Sequence, residues 1–219
     1  MQLSKETLNL FENFSTINGS LLLKTGSKIT TIAESKNVVA DVTVSETFPV
    51  EFGIYDLKEF LGVISLFEKP ELDFSNKYVV ISDGGKSQIK YFAAGEGVVK
   101  SAPTNVKFPS ADVEFELTSA QLAMIRRTSG VLKANDLAIV GSDGKLKLVV
   151  ADKKNDTSNA YEVVIGETED TFKANLQVDN LKMLPGDYTV SISKKRISRF
   201  TNKTNDLTYF VAIESDSEF

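Results

Sequence analysis

The sequence contains no cysteine and no histidine, and each absence removes a set of chemical functions. Without cysteine the chain forms no disulfide, no thiolate metal site and no thiol nucleophile. Without histidine it has no Ser-His-Asp triad, no imidazole general base and none of the usual zinc or iron ligand sets. Catalysis by Asp, Glu, Lys or Tyr stays open on these grounds, but we expect no enzyme, no metal and no cofactor.

Long apolar runs are also missing. No run approaches the roughly 18 residues that a membrane span needs, and residues 1–6 lack the basic and apolar regions of a signal peptide. Apolar residues make up 42% of the 219 residues and charged residues 25%, as is typical of globular chains. We expect a soluble, intracellular protein without membrane contact, long enough for one large or two small domains.

The formal net charge is −5, from 25 basic and 30 acidic residues. A protein that grips DNA over a broad basic face is expected to have a pI above about 9. The charge balance therefore excludes a broad basic face, and it allows a protein that confines its basic residues to one surface.

Two segments repeat the same helix start. Ser4 and Thr118 are hydroxyl residues suited to cap a helix, and each follows a leucine that can pack on the helix as a hydrophobic staple. A second start is echoed as well: Asp56 precedes a helical pattern with a Tyr/Phe staple, and Asp179 repeats the cap and the staple within residues 178–184. The order is the same in both halves, which predicts a tandem of two similar domains.

The remaining chain alternates apolar and polar residues in short runs that predict strands. Residues 94–111 break this rhythm with glycine and proline, which indicates a connector between domains at 1–102 and 103–219. Residues 214–219 are predicted to be an exposed acidic tail. The predicted class is α+β, and the predicted strands are 20–24, 28–33, 38–44, 48–54, 78–82, 88–93, 137–140, 145–151, 160–165, 172–178, 188–192 and 207–213.

Several short segments occur in a common order over the whole chain. They are Leu3-Ser4-Lys5, Ile54-Tyr55-Asp56-Leu57 with Phe60-Leu61-Gly62, Phe108-Pro109, Leu181-Lys182-Met183 with Pro185-Gly186, and Val211-Ala212-Ile213-Glu214 with Phe219. Together they resemble the DNA polymerase sliding clamps of T-even-type bacteriophages. The resemblance implies the DNA-clamp fold, with two helix-plus-antiparallel-sheet domains per chain and three chains in a ring around double-stranded DNA.

The same resemblance implies the partners. A clamp tethers the replicative DNA polymerase, is opened by a separate ATP-driven clamp loader, and acts in the cytoplasm of the infected bacterial host. The resemblance also allows a second role with late-transcription factors. Two rival hypotheses stay open: a structural or adaptor protein of the virion, and a hydrolase with paired carboxylates.

A ring that slides needs a modest number of sequence-blind phosphate contacts. We expect them on the wet faces of the helices. Glu12 and Asn13 stand where Arg126 and Arg127 stand in the second half, so the first domain is expected to contribute less. A secondary candidate is the basic run 194–196 with Arg199. The predicted DNA-facing residues are Lys5, Lys58, Arg126, Arg127, Lys133 and Lys182.

Two further surfaces are predicted. Exposed sheet edges are natural subunit contacts, so residues 88–93 are expected to meet residues 160–165 of the next subunit, with Tyr91, Phe92, Val163 and Val164 at the seam. By resemblance to clamps generally, a hydrophobic pocket under the connector receives a partner peptide. The pocket residues would be Val38, Val39, Ala40, Phe108, Pro109, Val211, Ala212 and Ile213.

Overall fold

The computed structural model describes residues 1–85, 87–95, 97–103, 106–155 and 157–219. They form two compact units, Met1–Asn105 and Val106–Phe219, and the division lies within residues 94–111, for which the sequence predicts a connector. Residues 96, 104 and 105 of that connector lie outside the described part of the chain. Each unit combines helix with antiparallel strands.

The described part of the first unit holds two helices and seven strands. β1 pairs with β4, β2 pairs with β3, and β5, β6 and β7 form a three-stranded sheet in that order. Its core includes Phe11, Phe14 and Phe60, all fully buried. The elements are α1 (Lys5–Ile17), β1 (Leu21–Leu23), β2 (Gly26–Ile32), β3 (Val38–Phe48), β4 (Phe52–Ile54), α2 (Leu57–Ile64), β5 (Glu71–Phe74), β6 (Tyr78–Ser82) and β7 (Gln88–Phe92).

Both predicted helix starts of this unit are confirmed. The Ser4 hydroxyl accepts the Thr7 N–H at 3.1 Å, and the Asp56 carboxylate accepts two N–H groups of the first turn of α2 at 3.0 Å each. The predicted staple between Tyr55 and Phe60 is wrong, because Tyr55 is 70% exposed. The ring of Tyr91 packs against Phe60 instead, with 5.1 Å between centroids.

The described part of the second unit holds one α-helix, a short 3-10 helix and eight strands. β11, β10, β9 and β12 form a four-stranded sheet in that order, while β13 pairs with β8 and β14, and β14 pairs with β15. The elements are β8 (Val113–Leu117), α3 (Ser119–Leu132), β9 (Asp136–Ser142), β10 (Lys145–Ala151), β11 (Tyr161–Glu167), β12 (Phe172–Gln177), the 3-10 helix Val178–Asn180, β13 (Tyr188–Ser193), β14 (Ile197–Asn202) and β15 (Leu207–Ala212).

The second predicted helix of this unit does not form. Residues 178–180 make a single 3-10 turn, and the chain then runs irregularly to Pro185. The Asp179 carboxylate accepts the Asn135 side-chain amide at 3.0 Å, while the Asp179 N–H donates back to the Asn135 side-chain oxygen at 2.9 Å. Asp179 is thus engaged by a residue distant in sequence and does not cap a helix. Pro185 also disfavours helical geometry at the residue before it.

Three strands were not predicted. β5 is only four residues long, and β14 has two apolar residues among six. β8 alternates strictly between apolar and polar residues, so its pattern was available in the sequence. Residues 214–219, named here the tail, are mostly exposed, as the sequence predicts, but they pair with a strand. The Glu218 N–H donates to the Lys173 carbonyl at 2.9 Å, so the tail lies against β12.

Candidate functional site

The solvent-exposed face of α1 carries one basic residue among acidic ones. Lys5 is the first residue of the helix and is exposed, as are Glu6 and Glu12. The Glu46 carboxylate accepts the Ser4 N–H at 2.5 Å at the same helix end. Partial burial alone would raise the pKa of Glu46, but the hydrogen bonds to its carboxylate outweigh burial and lower that pKa. The surroundings of Lys5 are therefore negative.

The wet face of α3 has a different charge. Thr118 and Gln121 form a capping box, in which the Thr118 hydroxyl accepts the Gln121 N–H at 3.2 Å and the Gln121 side chain accepts the Thr118 N–H at 2.8 Å. This helix has no acidic residue, and its Arg127 is exposed. Lys133 is exposed at the helix end, with a left-handed backbone at φ 53°. The Thr118–Gln121 cap is neutral, although the Asp187 carboxylate accepts the Ser119 N–H at 2.7 Å at the same helix start. The charged residues further along, Arg127 and Lys133, are both positive and exposed.

Arg126 behaves differently from Arg127. Its guanidinium is half-buried and donates from Nε to the Leu181 carbonyl at 3.0 Å and from Nη2 to the Met183 carbonyl at 2.7 Å. Nη2 also donates to Leu181, and burial lowers the pKa of the guanidinium. Arg126 therefore fixes the loop that stands where the sequence predicts a second helix, which argues against the predicted DNA contact.

A periodic signal for the role of Arg126 was available in the sequence. Arg126 lies four residues after the buried Leu122, so both side chains share one face of α3. Two tyrosines hold the same loop: the Tyr188 hydroxyl donates to the Leu184 carbonyl at 2.6 Å, and the Leu184 N–H donates to the Tyr209 hydroxyl at 3.1 Å. Burial raises the pKa of both tyrosines, so both hydroxyls stay protonated at neutral pH.

The two remaining lysines of the predicted set are exposed. Lys58 lies in the first turn of α2, where its backbone N–H donates to the Asp56 carboxylate. Lys182 lies in the loop after the 3-10 helix. The basic run 194–196 forms the turn between β13 and β14, and Lys194 pairs with Asp112 at 3.4 Å.

Two strands end their sheets. β7 is the last strand of the sheet β5-β6-β7, and β11 is the first strand of the sheet β11-β10-β9-β12. Phe92 on β7 is 66% exposed and Val164 on β11 is 50% exposed, while Val163 is half-buried opposite the buried Leu148. Tyr91 faces inward and donates its hydroxyl to the Asp56 carbonyl at 3.2 Å. Burial, helped by Glu59, raises the pKa of Tyr91 to about 12.

Strand alternation divides the predicted pocket residues into two groups. On β3, Val38 and Ala40 share the face of the buried Val42, so they belong to the core of the first unit and Val39 points the other way. On β15, Val211 is fully buried on the face of Tyr209, while Ala212 lies on the opposite, half-buried face. Ile213, just beyond β15, is 5% exposed.

Phe108 is anchored within the second unit. The Arg199 guanidinium lies over the Phe108 ring at 4.6 Å from its centroid and donates to the Ser191 hydroxyl at 3.0 Å. The Ser191 hydroxyl in turn donates to the Glu114 carboxylate at 2.9 Å. Pro109 follows Phe108 and is half-buried. Arg199 is therefore a connector anchor, a role that its place in a basic run did not reveal.

Phe210, outside the predicted pocket set, lies beside Arg199. It lies directly opposite Arg199 in the pairing of β14 with β15 and is 7% exposed. Directly opposite residues share a face of a sheet, so Phe210 belongs to the same face as Arg199. Alternation along β15 would have identified it, because Phe210 is two residues before Ala212.

Neither a membrane-spanning helix nor a metal-binding cluster occurs among the described residues. No helix that they form is long and apolar enough to cross a membrane. In the same part of the chain, no group of three or more His, Cys, Asp or Glu side chains is arranged to hold a metal ion.

Comparisons with known proteins cover almost the whole chain. Residues 4–97 match the family described as DNA polymerase processivity factor, and residues 114–215 match the family described as gp45 sliding clamp, C-terminal. The chain is 32% identical to the sliding clamp of Vibrio phage KVP40, over 98% of this chain and 100% of that protein. It is 30% identical to the sliding clamp of Enterobacteria phage T4, over 99% of this chain and 98% of that protein.

Solved structures share the fold at low sequence identity. The proliferating cellular nuclear antigen of Entamoeba histolytica superimposes with a TM-score of 0.71 at 13% identity, covering 95% of this chain and 94% of that one. The PCNA of Thermococcus kodakaraensis gives a TM-score of 0.67 at 14% identity, covering 96% of both chains. The expected clamp fold, with helix and antiparallel sheet in two domains, is thereby confirmed.

Proposed function

Since the chain belongs to the sliding-clamp family of DNA polymerase processivity factors, we propose that three copies close into a ring around duplex DNA and tether the replicative polymerase. The observation that carries the ring is the pair of sheet edges, β7 in one unit and β11 in the other. A closed head-to-tail ring needs two different, complementary surfaces on each chain. Open strand edges can form such surfaces, because their unpaired backbone groups donate and accept hydrogen bonds.

Exposed apolar side chains support these edges as the seam. Phe92 and Val164 are both large and at least half-exposed, and burying such side chains favours association. Tyr91 holds β7 in place from within its own unit, through its contacts with Phe60 and Asp56. In this proposal Phe92 and Val164 make the contact directly, and Tyr91 and Val163 support the two strands from the inner side.

The ring is tested by the mass in solution. Three chains of 24.0 kDa give 72.0 kDa, and sedimentation of the parent chain should approach that mass as concentration rises. Val164→Asp should shift the equilibrium toward monomer, because it places a carboxylate in an apolar seam. Leu66→Asp is the matched control, since Leu66 is 70% exposed outside both edges. Monomer at all concentrations, or equal behaviour of both variants, would refute the proposed seam.

Exposed basic residues on the helices, at the end of α3 and in the loop after the 3-10 helix are the proposed DNA contact. Lys5, Lys58, Arg127, Lys133 and Lys182 are all exposed, although the chain as a whole carries a net charge of −5. Such side chains bind phosphates without reading sequence, and the attraction weakens with salt. We leave Arg126 out of the contact set because its guanidinium is bound to Leu181 and Met183.

The partner-peptide site is proposed on the outward face of the second unit. Phe108 and Pro109 are half-buried there, Ala212 lies on the half-buried face of β15, and Phe210 is buried on that same face. Half-buried apolar side chains suit a short peptide with aliphatic or aromatic anchors. Val39, on the opposite face of β3 from Val38 and Ala40, is 8% exposed; it belongs to the other unit and stays a prediction. Val38, Ala40 and Val211 act as core.

The peptide site is tested with a labelled peptide from the end of the cognate polymerase. Fluorescence anisotropy should give weaker binding to Ala212→Glu, because a buried carboxylate opposes an apolar ligand. Thr201→Glu, on the same face of the neighbouring strand β14, is the control for added charge. Equal affinity for the parent and Ala212→Glu would place the peptide elsewhere.

The proposal also includes opening of the ring by a loader and a second role in late transcription. The double glycine Gly84-Gly85 lies in a turn and does not open a helix after a strand, so it is not a phosphate-binding loop. In this proposal a separate ATP-driven loader opens the ring inside the infected host cell. ATP-dependent capture of the chain on nicked circular DNA, with and without host-expressed loader, tests loading. Pull-down with late-transcription factors tests the second role.

A further inference from the structure

The tail binds the outer edge of β12 along two residues of that strand. The Lys173 N–H donates to the Glu218 carbonyl at 2.8 Å, and the Glu218 N–H donates back at 2.9 Å. The Asn175 N–H donates to the Ser217 hydroxyl at 2.9 Å, and the Asn175 carbonyl accepts the Glu214 N–H at 2.8 Å. Because β9 pairs with the other side of β12, the tail satisfies backbone groups that an edge strand leaves open.

Charge adds to this pairing. The Lys153 ammonium lies 2.8 Å from the Asp216 carboxylate and 3.9 Å from that of Glu214, both in the tail. It also lies 3.8 Å from the Asp136 carboxylate on β9. Lys173 adds a second basic side chain on β12 itself. The edge is therefore basic where the tail is acidic.

One aromatic contact completes the site. The Phe219 ring stacks on Phe172, with 6.2 Å between centroids and 5° between planes. Phe219 nevertheless stays 46% exposed, and the Asp216 side chain is 49% exposed. A segment held by a few backbone bonds, exposed ion pairs and a half-buried ring opens at low free energy. Its ion pairs are weakened further by salt.

We infer that the edge of β12 is a docking site for an extended acidic segment of a partner protein, and that the tail occupies this site as an intramolecular competitor. The contacts of the tail define the ligand: an extended backbone that pairs with β12, a carboxylate for Lys153, and an aromatic ring three residues later for Phe172. An edge strand that accepts a peptide uses main-chain bonds for affinity and side-chain contacts for specificity. This site is separate from the proposed polymerase-peptide site and does not rest on it.

The test uses a labelled synthetic peptide with the sequence of residues 213–219 and a variant chain that ends at Ile213. Anisotropy should show binding to the shortened chain at least about tenfold tighter than to the intact chain, because the intact tail competes at high local concentration. A scrambled peptide should not bind. Raising salt from 0.1 M to 0.5 M should weaken binding. Equal binding to both chains, or equal binding of the scrambled peptide, would overturn the inference.

A second measurement covers the case in which the shortened chain fails to fold. In the intact chain, Lys153→Gln removes the ammonium that holds the tail, and the Lys173 and Asn175 amides should exchange with solvent roughly fivefold faster, the scale of an exposed ion-pair group. The Ala174 amide points toward β9 in the alternating ladder and is the internal control. Unchanged exchange at all three would overturn the inference. Oligomers of the intact chain that are lost when the chain ends at Ile213 would also overturn it, because a second copy of the chain would then be the occupant.

Discussion

The helices α1 and α3 start with the same kind of cap but are held in different ways. α1 buries five side chains along its length, ending with Phe14 and Ile17, and α2 lies in the same unit. α3 buries only Leu122 and Ile125. At the positions equivalent to Phe14 and Ile17 it has Thr128, half-buried, and Val131, which is 74% exposed.

The second unit has a polar contact where the first unit has an apolar one. The second unit has an irregular loop at 181–184 where the first has α2. Arg126 binds carbonyls of that loop, while Glu12, its equivalent in α1, is exposed. A guanidinium offers five donors in a fixed plane, which suits free carbonyls of a non-helical segment. A basic residue on a helix is thus either a ligand contact or a structural anchor, and position on the helix decides which.

The largest expected effect comes from removing an apolar contact of α1. Ile17→Ala should lower the free energy of unfolding of the first unit by about 3 kcal/mol, because it removes buried methylene groups and leaves a cavity. Val131→Ala, at the equivalent position of α3, should change it by less than about 0.5 kcal/mol. Denaturant unfolding followed by circular dichroism measures both. Similar losses in the two variants would mean that α3 is packed as firmly as α1.

The next effect concerns the polar anchor. Arg126→Ala should destabilise the second unit by about 2 kcal/mol, because the Leu181 and Met183 carbonyls lose their charged donor. Arg127→Ala, one residue along and exposed, should stay within about 0.5 kcal/mol of the parent. The same unfolding assay applies, with hydrogen exchange of residues 181–184 as a local readout. An Arg126→Ala variant as stable as Arg127→Ala would contradict the structural role.

A smaller effect concerns DNA binding by the differently charged helices α1 and α3. Arg127→Ala should weaken retention on DNA and reduce the salt slope of binding by up to about 0.9 for each phosphate that is no longer neutralised. Glu12→Gln should change binding in the opposite direction, by removing a negative charge from α1. Lys69→Ala, an exposed lysine between α2 and β5, is the control. If Lys69→Ala lowers DNA binding as much as Arg127→Ala, the effect is one of net charge only.

The smallest effect is a pH dependence at the start of α1. The folded-state pKa of Glu46 lies below its ordinary value of 4.5, so Glu46 stabilises the fold fully above pH 4.5 and loses this contribution as pH falls through the lowered pKa. Glu46→Gln should remove that acid-dependent part of the stability of the first unit. Identical acid unfolding curves for the parent and Glu46→Gln would refute this.

The parts of the fold that the sequence predicts are the locally determined ones. Ser4, Asp56 and Thr118 cap helices through hydrogen bonds to residues two or three positions away, so a short pattern contains the whole interaction. The helix expected after Asp179 fails because that carboxylate is bound by Asn135, which is 44 residues distant. No local pattern reports such a contact.

The predicted site shows the same limit. Exposure of Lys5, Lys58 and Lys133 follows from helix periodicity and composition. The face of each pocket residue follows from alternation, which places Val38 and Ala40 opposite to Val39. The Arg199–Phe108 contact joins residues 91 positions apart, and the docked tail depends on strand order in the folded sheet. Both required the structure.

Two residues near the end of α3, Gly130 and Lys133, each occupy an unfavourable backbone position. Lys133 has φ 53°, where an L-residue is strained by about 1–2 kcal/mol. Gly130 lies inside the helix, where glycine is less favourable than alanine by roughly 0.5–1 kcal/mol, and a Cβ there would meet open space. Each residue thus occupies a position that suits the other. The exchange Gly130→Lys with Lys133→Gly would relieve both strains, keep the net charge, and move one cation by about a turn, so it separates the value of a charge from the value of its location.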